Sequence, residues 1–350
     1  MSKLLVVLDA DVLGRQRTGD ESYVSALLRE LPRLDDELRF AAVTRHPELL
    51  PDGIEAVELP ARSQAWRMAR SFPRLLRRLQ PAVTHFQHVV APGFASPAVV
   101  TIHDLSFERE PKLMGPRDRF FFRTMVPRSV RRANRVIAVS ARTKRDLVEH
   151  YDVDERKIAV IPNGVDDVFS PDGRVGDDET PFLLFVGALQ PRKDPLVAIE
   201  ALSLADSELR LVLVGPDKGA AAEARRAVAR LGLNGRVEFT GHVEKPALAT
   251  LYREAEALVF PSRYEGFGLP VLEAMASGTP VVATSAGAIP EVAGDAAILV
   301  DAGDPVALAG GIERALADRE RLSHAGLERA RLYSWRETAR RTLAVYRELM

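Results

Sequence analysis

The sequence predicts an α/β fold made of two doubly wound parallel-sheet domains. Continuous runs of Val, Ile and Leu recur along the chain, and segments with helical periodicity separate them. Continuous runs are typical of strands buried on both faces, and the alternation of strand and helix favours parallel sheets. The length of 350 residues corresponds to about two domains of roughly 150 residues each.

The apolar runs fall into two sets. The first set comprises LLVVL at 4–8, FAAVT at 40–44, VTHF at 83–86, AVVTI at 98–102, RVIAVS at 135–140 and KIAVIP at 157–162. A segment with helical periodicity at 21–31 follows the first of these runs. The second set comprises FLLFVG at 182–187, LRLVLVG at 209–215, RVEFTG at 236–241, EALVFPS at 256–262 and TPVVAT at 279–284. Each set contains enough predicted strands to form one sheet.

A segment rich in Gly, Pro and Asp separates the two sets and has no periodicity. Such composition is typical of a linker between domains. We place the first domain at 1–168, the linker at 169–181 and the second domain at 182–333. A final helix is predicted over 334–349, with Ser334 as its N-cap and a glutamate three residues later.

The composition restricts the class of protein. The chain contains no cysteine, which excludes disulfide frameworks, thiolate nucleophiles and cysteine–zinc sites and favours a reducing compartment. The apolar run at 4–8 is too short for the core of a signal peptide, and no run has the roughly 18–20 residues that a membrane span needs. We therefore expect a cytoplasmic protein.

Positive charge is concentrated in the first half of the chain. Residues 61–145 contain 18 Lys and Arg but only 4 Asp and Glu. Within this region, 61–80 and 116–135 combine arginines with aromatic side chains. Such segments can bind anionic membranes, and the protein would then be peripheral at the inner membrane face. The alternative is that they form solvated helix faces, and both interpretations stay open. Pro73 and Pro127 interrupt the helical patterns of the two segments, which counts against membrane binding. Nucleic acid is not an expected partner, because no motif that reads nucleic acid accompanies the charge.

The most informative segment is 261–284, where a strand ends in a glycine-rich loop and a helix follows from Pro270. Glycines let backbone amides approach a ligand, and a helix N-terminus carries free N–H groups, so the segment predicts a phosphate site. Glu265 lies on the loop, and Glu273 is expected in the first turn of the helix. A carboxylate there suits a ribose diol. The alternative is that Glu273 complements the helix dipole and that Glu265 is merely exposed.

This segment resembles the E-x7-E signature of the family 4 retaining glycosyltransferases, with Glu265 and Glu273 as the two glutamates. Other segments are similar to the same family in the same order, namely VVTIHD at 99–104, ANRVIAVS at 133–140, VIPNGVD at 160–166 and FVGALQPRKDP at 185–195. The resemblance implies the GT-B architecture, in which two Rossmann-like domains face a cleft. It also implies that the C-terminal helix, here within 334–350, crosses back to the first domain.

Arg192 and Lys193 follow the predicted strand that ends at Gly187. Two fixed cations would stabilise the negative charge that builds on a leaving nucleotide diphosphate. The alternative for an isolated Arg-Lys pair is a solvated turn. The resemblance implies that both side chains bind the donor's diphosphate, although Ala188 stands where the family often has an arginine.

The resemblance implies roles for several further residues. Glu273 is expected on the ribose, while Glu265 and His103 flank the donor sugar and Asp104 orients His103. A lone histidine is otherwise more often structural. Gly19 is expected to bring the first loop to the diphosphate, with Thr18 where the family usually has a second glycine. The amides expected on the diphosphate are those of Gly266, Phe267, Gly268 and Leu269, which together with Gly187 complete the nucleotide-sugar site.

The implied function is that of a retaining hexosyltransferase that acts on a glycan or lipid-linked acceptor, in the synthesis of a cell-surface polysaccharide or a glycolipid. The form PRKDP at 191–195 is most similar to members that use GDP-mannose, and a UDP- or ADP-sugar is the alternative donor. No cofactor or metal is expected, and Asp9-Ala10-Asp11, a metal motif in a different glycosyltransferase fold, carries little weight. Two rivals remain, a nucleotide-sugar epimerase and a catalytically silent scaffold.

Overall fold

The computed structural model describes residues 3–14, 19–59, 66–93, 96–173, 180–205 and 208–350. The chain forms two compact units: unit 1 is Met1–Gly164 with Trp335–Met350, and unit 2 is Val165–Ser334. Phe169, inside the predicted linker, is buried, and its ring lies edge-on to that of Tyr252 with the centroids 5.7 Å apart. That part of the predicted linker therefore packs in unit 2, and residues 174–179 lie outside the described part.

Seven parallel strands form the sheet of unit 1. They are β1 Leu4–Asp9, β2 Leu38–Thr44, β3 Ile54–Glu58, β4 Val83–Gln87, β5 Ala98–Ile102, β6 Arg135–Ala138 and β7 Ile158–Val160. Their spatial order is β3-β2-β1-β4-β5-β6-β7. Every residue of β4 and β5 is buried, as the continuous apolar runs predict for strands covered on both faces.

Helices connect these strands. They are α1 Gly19–Leu34, α2 Phe72–Leu79, α3 Ser106–Arg109, α4 Pro116–Arg132, α5 Ala141–Tyr151 and, after unit 2, the C-terminal helix Trp335–Arg347. The C-terminal helix packs against α1, and the Tyr346 hydroxyl forms a 2.6 Å hydrogen bond with Nδ1 of His85 on β4. The predicted return of this helix to the first domain is therefore confirmed.

Unit 2 repeats the architecture with six parallel strands. They are β8 Phe182–Val186, β9 Arg210–Val214, β10 Val237–Gly241, β11 Ala257–Phe260, β12 Val281–Thr284 and β13 Ile298–Val300. Their order is β10-β9-β8-β11-β12-β13. The helices of this unit are α6 Pro195–Leu204, α7 Ala221–Arg230, α8 Lys245–Glu254, α9 Leu269–Ala276, α10 Ile289–Ala293, α11 Pro305–Ala317 and α12 Arg319–Ala330.

Both sheets reverse their strand order once, between β1 and β4 in unit 1 and between β8 and β11 in unit 2. Ligands of doubly wound sheets bind beyond the carboxyl ends of the strands at this switch point. The predicted site residues follow these strands or their neighbours in both units. Among the described residues, no helix has the length and apolar composition that crossing a membrane requires.

Candidate functional site

In unit 2 a buried carboxylate joins the two cations predicted at the end of β8. Glu265 is only 7% exposed. Its Oε1 accepts a hydrogen bond from Lys193 Nζ at 2.5 Å and lies 3.2 Å from Nη1 of Arg192. The hydroxyl of Ser262 donates to the same oxygen. The alternative that Glu265 is simply exposed on its loop is therefore wrong.

The surroundings of Glu265 keep it ionised. Burial by itself raises the pKa of a carboxyl group, because it disfavours the charged form. Here the charges of Lys193 and Arg192, with the hydrogen bonds from Lys193 and Ser262, outweigh burial and lower the pKa of Glu265 to about 2. The side chain is an anion throughout the physiological range and is not a proton donor.

Local structure holds the two cations in place. They lie in a short 3₁₀ turn, Pro191–Lys193, which begins five residues after the end of β8 at Val186. Nη1 of Arg192 donates to the carbonyl oxygen of Tyr264 at 2.5 Å, and Nζ of Lys193 lies 4.8 Å from the centroid of the Phe260 ring. Gly187 lies beside the same lysine, since a Cβ there would be 3.4 Å from its Cδ. The Arg-Lys pair is thus part of a packed cluster.

Gly287 explains how the backbone of Glu265 fits into this cluster. A Cβ on Gly287 would lie 2.1 Å from the carbonyl oxygen of Glu265 and 2.6 Å from its nitrogen. Its φ of +63° also lies in the left-handed region that favours glycine. The next amide, that of Ala288, donates to the Glu265 oxygen at 2.8 Å. Of the Ala286-Gly287 pair, only the second position must lack a side chain to allow this contact.

The glycine-rich loop leads into helix α9, as predicted, but the helix begins one residue earlier than expected. Leu269 is its first residue and Pro270 its second, with Gly268 as the N-cap at φ +102°. Phe267 is buried and its ring packs edge-on against Tyr333, with the centroids 5.8 Å apart. The loop therefore presents a helix N-terminus on a fixed support, which is the geometry of an anion site.

Glu273 lies in the second turn of α9, so its predicted place in the first turn is wrong. Because α9 begins at Leu269, no acidic residue lies in its first turn, and Glu273 does not complement the helix dipole there. Instead Oε2 of Glu273 accepts a 3.0 Å hydrogen bond from the hydroxyl of Tyr252. Burial outweighs this bond and raises the pKa of Glu273 to about 7.

In unit 1 the structure assembles a second polar cluster around His103, the residue that follows β5. Its ring is buried; Nε2 lies 2.8 Å from Oε1 of Gln87, and Nδ1 lies 3.6 Å from a carboxylate oxygen of Asp20. The other oxygen of Asp20 lies 3.1 Å from Nε2 of His88. Asp104 does not orient His103 as expected, because its carboxylate accepts hydrogen bonds from the hydroxyl and N–H of Ser106.

The two histidines of this cluster have opposite pKa shifts. Burial lowers the pKa of His103 to about 4, despite the nearby Asp20. Burial acts in the same direction on His88, but the charge and hydrogen bond of Asp20 outweigh it and raise its pKa. Asp20, His88 and His103 offer three ligand atoms that lie within 4.8 Å of one another. Their spacing in the sequence gave no sign of this cluster.

The loop that leads into α1 is described in part. Gly19 is the first residue of α1, while Thr18 and the three residues before it lie outside the described part of the chain. Glu21, in the first turn, accepts a 2.7 Å hydrogen bond from the amide of Gly14. The expected contact of Gly19 with a diphosphate stays a prediction.

The acidic pair Asp9 and Asp11, at the end of β1, is part of a buried ion network. Arg67 is 2% exposed, and its guanidinium lies 2.5 Å from Asp9 and 3.6 Å from Asp11. Asp11 also accepts two hydrogen bonds from Arg45, at 2.7 and 2.8 Å. The two carboxylates are thus neutralised by arginines, which agrees with the little weight given to them as a metal motif.

The same network changes the interpretation of the basic segment 61–80. Arg67, counted there as a surface charge, is buried, and the apolar side chains of Phe72, Leu75 and Leu76 lie in the core of unit 1. Residues 61–65, which include Arg62, lie outside the described residues. Aromatic rings that remain exposed in the two basic segments are those of Trp66, Phe120 and Phe121.

Two families of known proteins match the chain. Residues 17–169 match Glycosyltransferase Family 4, and residues 172–331 match the family described as Glycosyl transferases group 1. Among relatives, the D-inositol 3-phosphate glycosyltransferase of Geodermatophilus obscurus is 37% identical over 238 residues, which cover 62% of this chain and 53% of the relative. The chain thus spans about half the length of that relative. The O-antigen chain mannosyltransferase B of Escherichia coli is 29% identical, with 89% of this chain and 83% of the relative covered.

Solved structures share the fold. Sucrose-phosphate synthase from Thermosynechococcus elongatus superposes with a TM-score of 0.83 at 24% identity, covering 99% of each chain. Anabaena HepE in complex with UDP-glucose gives a TM-score of 0.76 at 17% identity, covering 97% of this chain and 99% of that one. The predicted GT-B class, with two Rossmann-like sheets, is confirmed. Residues 17–169 of the chain therefore belong to Glycosyltransferase Family 4, and residues 172–331, which lie in unit 2, belong to the Glycosyl transferases group 1 family.

Proposed function

We propose that the protein is a retaining glycosyltransferase that moves a hexose from a nucleotide sugar to a glycan or lipid-linked acceptor. The observation that carries this proposal is the cluster in unit 2 of Glu265, Lys193 and Arg192, directly before the glycine-rich start of α9. Two cations beside a helix N-terminus suit a diphosphate, which this reaction releases as its leaving group. Membership of the family supports the same chemistry.

Each unit has its own part in the proposal. In unit 2, Arg192 and Lys193 bind the donor's diphosphate together with the amides of 266–269, near Gly187. Glu273 accepts hydrogen bonds from the ribose, and Glu265 binds a hydroxyl of the sugar. In unit 1, His103 binds a sugar hydroxyl and Gly19 lies near a phosphate. Our assignment requires no metal or cofactor.

The proposed reaction proceeds on one face of the sugar. The bond between the anomeric carbon and the leaving phosphate oxygen breaks, and a bond from the acceptor oxygen to the same carbon forms. The proton of the acceptor hydroxyl passes to the leaving phosphate, so the protein needs neither a covalent nucleophile nor a general base. Lys193 and Arg192 stabilise the charge on the phosphate, and this stabilisation exists mainly in the transition state.

The donor in our first assignment is GDP-mannose. The resemblance of PRKDP at 191–195 supports it, and the related O-antigen chain enzyme of Escherichia coli is named a mannosyltransferase. A UDP-sugar is the second candidate because HepE, which shares the fold, binds UDP-glucose. An ADP-sugar is a third. We place the enzyme in the cytoplasm, at the inner membrane face if its basic segments bind anionic lipid, in polysaccharide or glycolipid synthesis.

A thermal-shift panel tests the donor site. GDP, UDP, ADP and their sugar conjugates are added with EDTA and then with magnesium, and binding to the native state raises the apparent melting temperature. We expect a clear shift with one base and little effect of magnesium. The absence of a shift with every nucleotide would contradict the proposal and favour the silent scaffold.

Product analysis separates the transferase from the epimerase. With the donor that binds, a transferase releases the nucleotide diphosphate in proportion to the glycosylated acceptor, whereas an epimerase changes the sugar without an acceptor. We expect the nucleotide diphosphate to be released in proportion to the glycosylated acceptor. Lys193→Ala should abolish this release. Formation of an epimer would refute the assignment even if the nucleotide binds as proposed.

A further inference from the structure

Two buried polar atoms beside His103 have no hydrogen-bond partner among the described residues. Gln87, which is 9% exposed, uses one end of its amide for His103, while its Nε2 is unpaired. His88 uses Nε2 for Asp20, while its Nδ1 is buried and unpaired. If the amide of Gln87 is flipped, one of its ends is still unpaired. Buried polar atoms are nearly always paired in native proteins, so this pair of orphans indicates a polar ligand.

The backbone supports the same interpretation. His88 has a φ of +56°, in the left-handed region that non-glycine residues rarely adopt. Its amide is held in this conformation by a 3.0 Å hydrogen bond to the carbonyl oxygen of Thr101 on the neighbouring strand β5. Strained conformations of this kind are concentrated at ligand sites, where the surrounding structure enforces them. This strained residue lies directly after β4, at the switch point of the sheet.

The chemistry of the cluster suits hydroxyl groups. It combines a carboxylate, an amide and two imidazoles, so it offers both donors and acceptors, and a sugar hydroxyl uses both. Asp20 contacts both rings, with oxygens 3.1 Å from His88 and 3.6 Å from His103. Its negative charge disfavours a phosphate at this position. The ring of Tyr23 packs edge-on against His103, with the centroids 5.0 Å apart, and fixes the apolar side of the cluster.

We propose that Gln87 and His88 bind hydroxyl groups of a sugar or related polyol, with Asp20 as the positioning residue that orients both histidines. The inference rests on the proposed transferase function for the identity of the substrate, but the binding itself does not depend on that function. The hydroxyls belong either to the hexose of the donor or to the acceptor. Gln87 and His88 then help to determine which polyol the enzyme accepts.

Histidine NMR of the full chain tests the binding directly. The ring signals of His88 and His103 are assigned with single variants and followed in EDTA while mannose, glucose, D-inositol 3-phosphate, GDP-mannose or UDP-glucose is added. We expect both signals to shift with at least one polyol, while that of the exposed His150 does not. A Zn²⁺ arm without EDTA is run in parallel.

Variants identify the source of the hydroxyl. Asparagine tolerates a left-handed backbone, so His88→Asn removes the ring without changing the turn. The matched control is His150→Asn. If the ligand is a hydroxyl of the donor, we expect His88→Asn and Gln87→Leu to weaken the binding of GDP-mannose or UDP-glucose by about tenfold. The affinities for GDP and UDP, which lack the sugar, should not change. With an acceptor hydroxyl as ligand, the KM for the acceptor rises by a similar factor and donor affinity is unchanged.

Asp20→Asn distinguishes positioning from support of the fold. We expect its melting temperature to stay near that of the wild type, its sugar affinity to fall, and the pKa of His88, followed by its ring signal, to fall because the charge of Asp20 no longer raises it. Asp20→Glu, which keeps the negative charge, should retain part of the sugar affinity that Asp20→Asn loses.

Two results would overturn the inference: histidine signals that move with no polyol or nucleotide sugar, and signals that move only with Zn²⁺. A wild type that binds sugars at His88 but no nucleotide would instead refute the proposed function and leave the inference standing.

Discussion

Replacing Glu265 with glutamine tests whether this carboxylate occupies the cations that are proposed to hold the diphosphate. Lys193 Nζ and Arg192 Nη1 lie 2.5 and 3.2 Å from the same carboxylate oxygen. A bound diphosphate must share these cations with Glu265 or displace it from them. We therefore expect Glu265→Gln to bind GDP or UDP more tightly than the wild type while it loses turnover.

The size of the effect follows from the pKa of Glu265. A pKa lowered from 4.5 to about 2 means that the site favours the carboxylate over the neutral acid by about 3 kcal/mol. If the diphosphate recovers roughly half of this attraction when the anion is removed, its Kd falls about tenfold, which corresponds to about 1.4 kcal/mol. The intact nucleotide sugar should gain less, because glutamine also weakens the proposed contact with the sugar.

Isothermal titration calorimetry in EDTA measures both affinities. Glu313→Gln, an exposed position on α11 of the same unit, makes the same change in net charge and serves as the control. Because the competing charge is local, the difference between the two variants should persist at raised salt. Weaker binding of GDP and UDP by Glu265→Gln, with an unchanged melting temperature, would contradict the expected competition between Glu265 and the diphosphate. It would show that the carboxylate mainly holds the two cations in place.

Three further predictions concern the same unit. Lys193→Ala should lower kcat by about 10²- to 10³-fold without unfolding the protein, because it removes charge stabilisation of the leaving phosphate; a steady-state assay, with circular dichroism to show that the variant is folded, checks this. The raised pKa of Glu273, about 7, gives the folded state stability that is present below pH 4.5 and lost as pH rises through 7. The melting temperature of Glu273→Gln should therefore rise relative to the wild type between pH 5 and 8, by a few degrees, and a constant difference would contradict this pKa. Gly287→Ala places a Cβ 2.1 Å from the backbone of Glu265 and should lower the melting temperature more than Gly235→Ala, which has a similar φ of +83° and no atom within 4 Å. If both variants lower the melting temperature equally, backbone strain alone explains the loss and the contact with Glu265 does not contribute.

The strands that the sequence predicted are those with continuous apolar runs. β3, with the sequence IEAVE, was missed because it lies at the edge of the sheet, where none of its side chains is fully buried and no apolar run is required. β13, also an edge strand, has only three residues. Apolar runs report burial, so the sequence predicts every central strand, whereas of the four edge strands it predicts β7 and β10 and misses β3 and β13.

The candidate site in unit 2 was largely predictable because its residues follow strands and lie within recognisable segments. The hydrogen bonds from Ser262 to Glu265 and from Tyr252 to Glu273 could not be predicted, since they depend on side-chain rotamers. Of the three residues that cluster in unit 1, Asp20, His88 and His103, the sequence indicated only His103. Asp20 and His88 join it because α1 follows β1 and because β1, β4 and β5 are neighbours in the sheet, a proximity that linear spacing does not show.

Arg67 shows a different limit. In the sequence it is one arginine among many in a basic segment, and the pattern there indicates a charged surface. Among the residues that the structure describes, it is the largest fully buried side chain, and Asp9 and Asp11 at the end of β1 pair with its charge. A charge run does not reveal which of its members has buried partners.

The bond between His85 and Tyr346 has a consequence for the order of events on the ribosome. The two residues are 261 positions apart, and both are fully buried. Unit 2 is one continuous segment, whereas unit 1 needs Trp335–Met350 to cover α1 and β4. Domains generally fold as they emerge from the ribosome. Because Trp335–Met350 follows unit 2 in the sequence, we expect the first unit to complete its packing only after the whole of unit 2 has been synthesised.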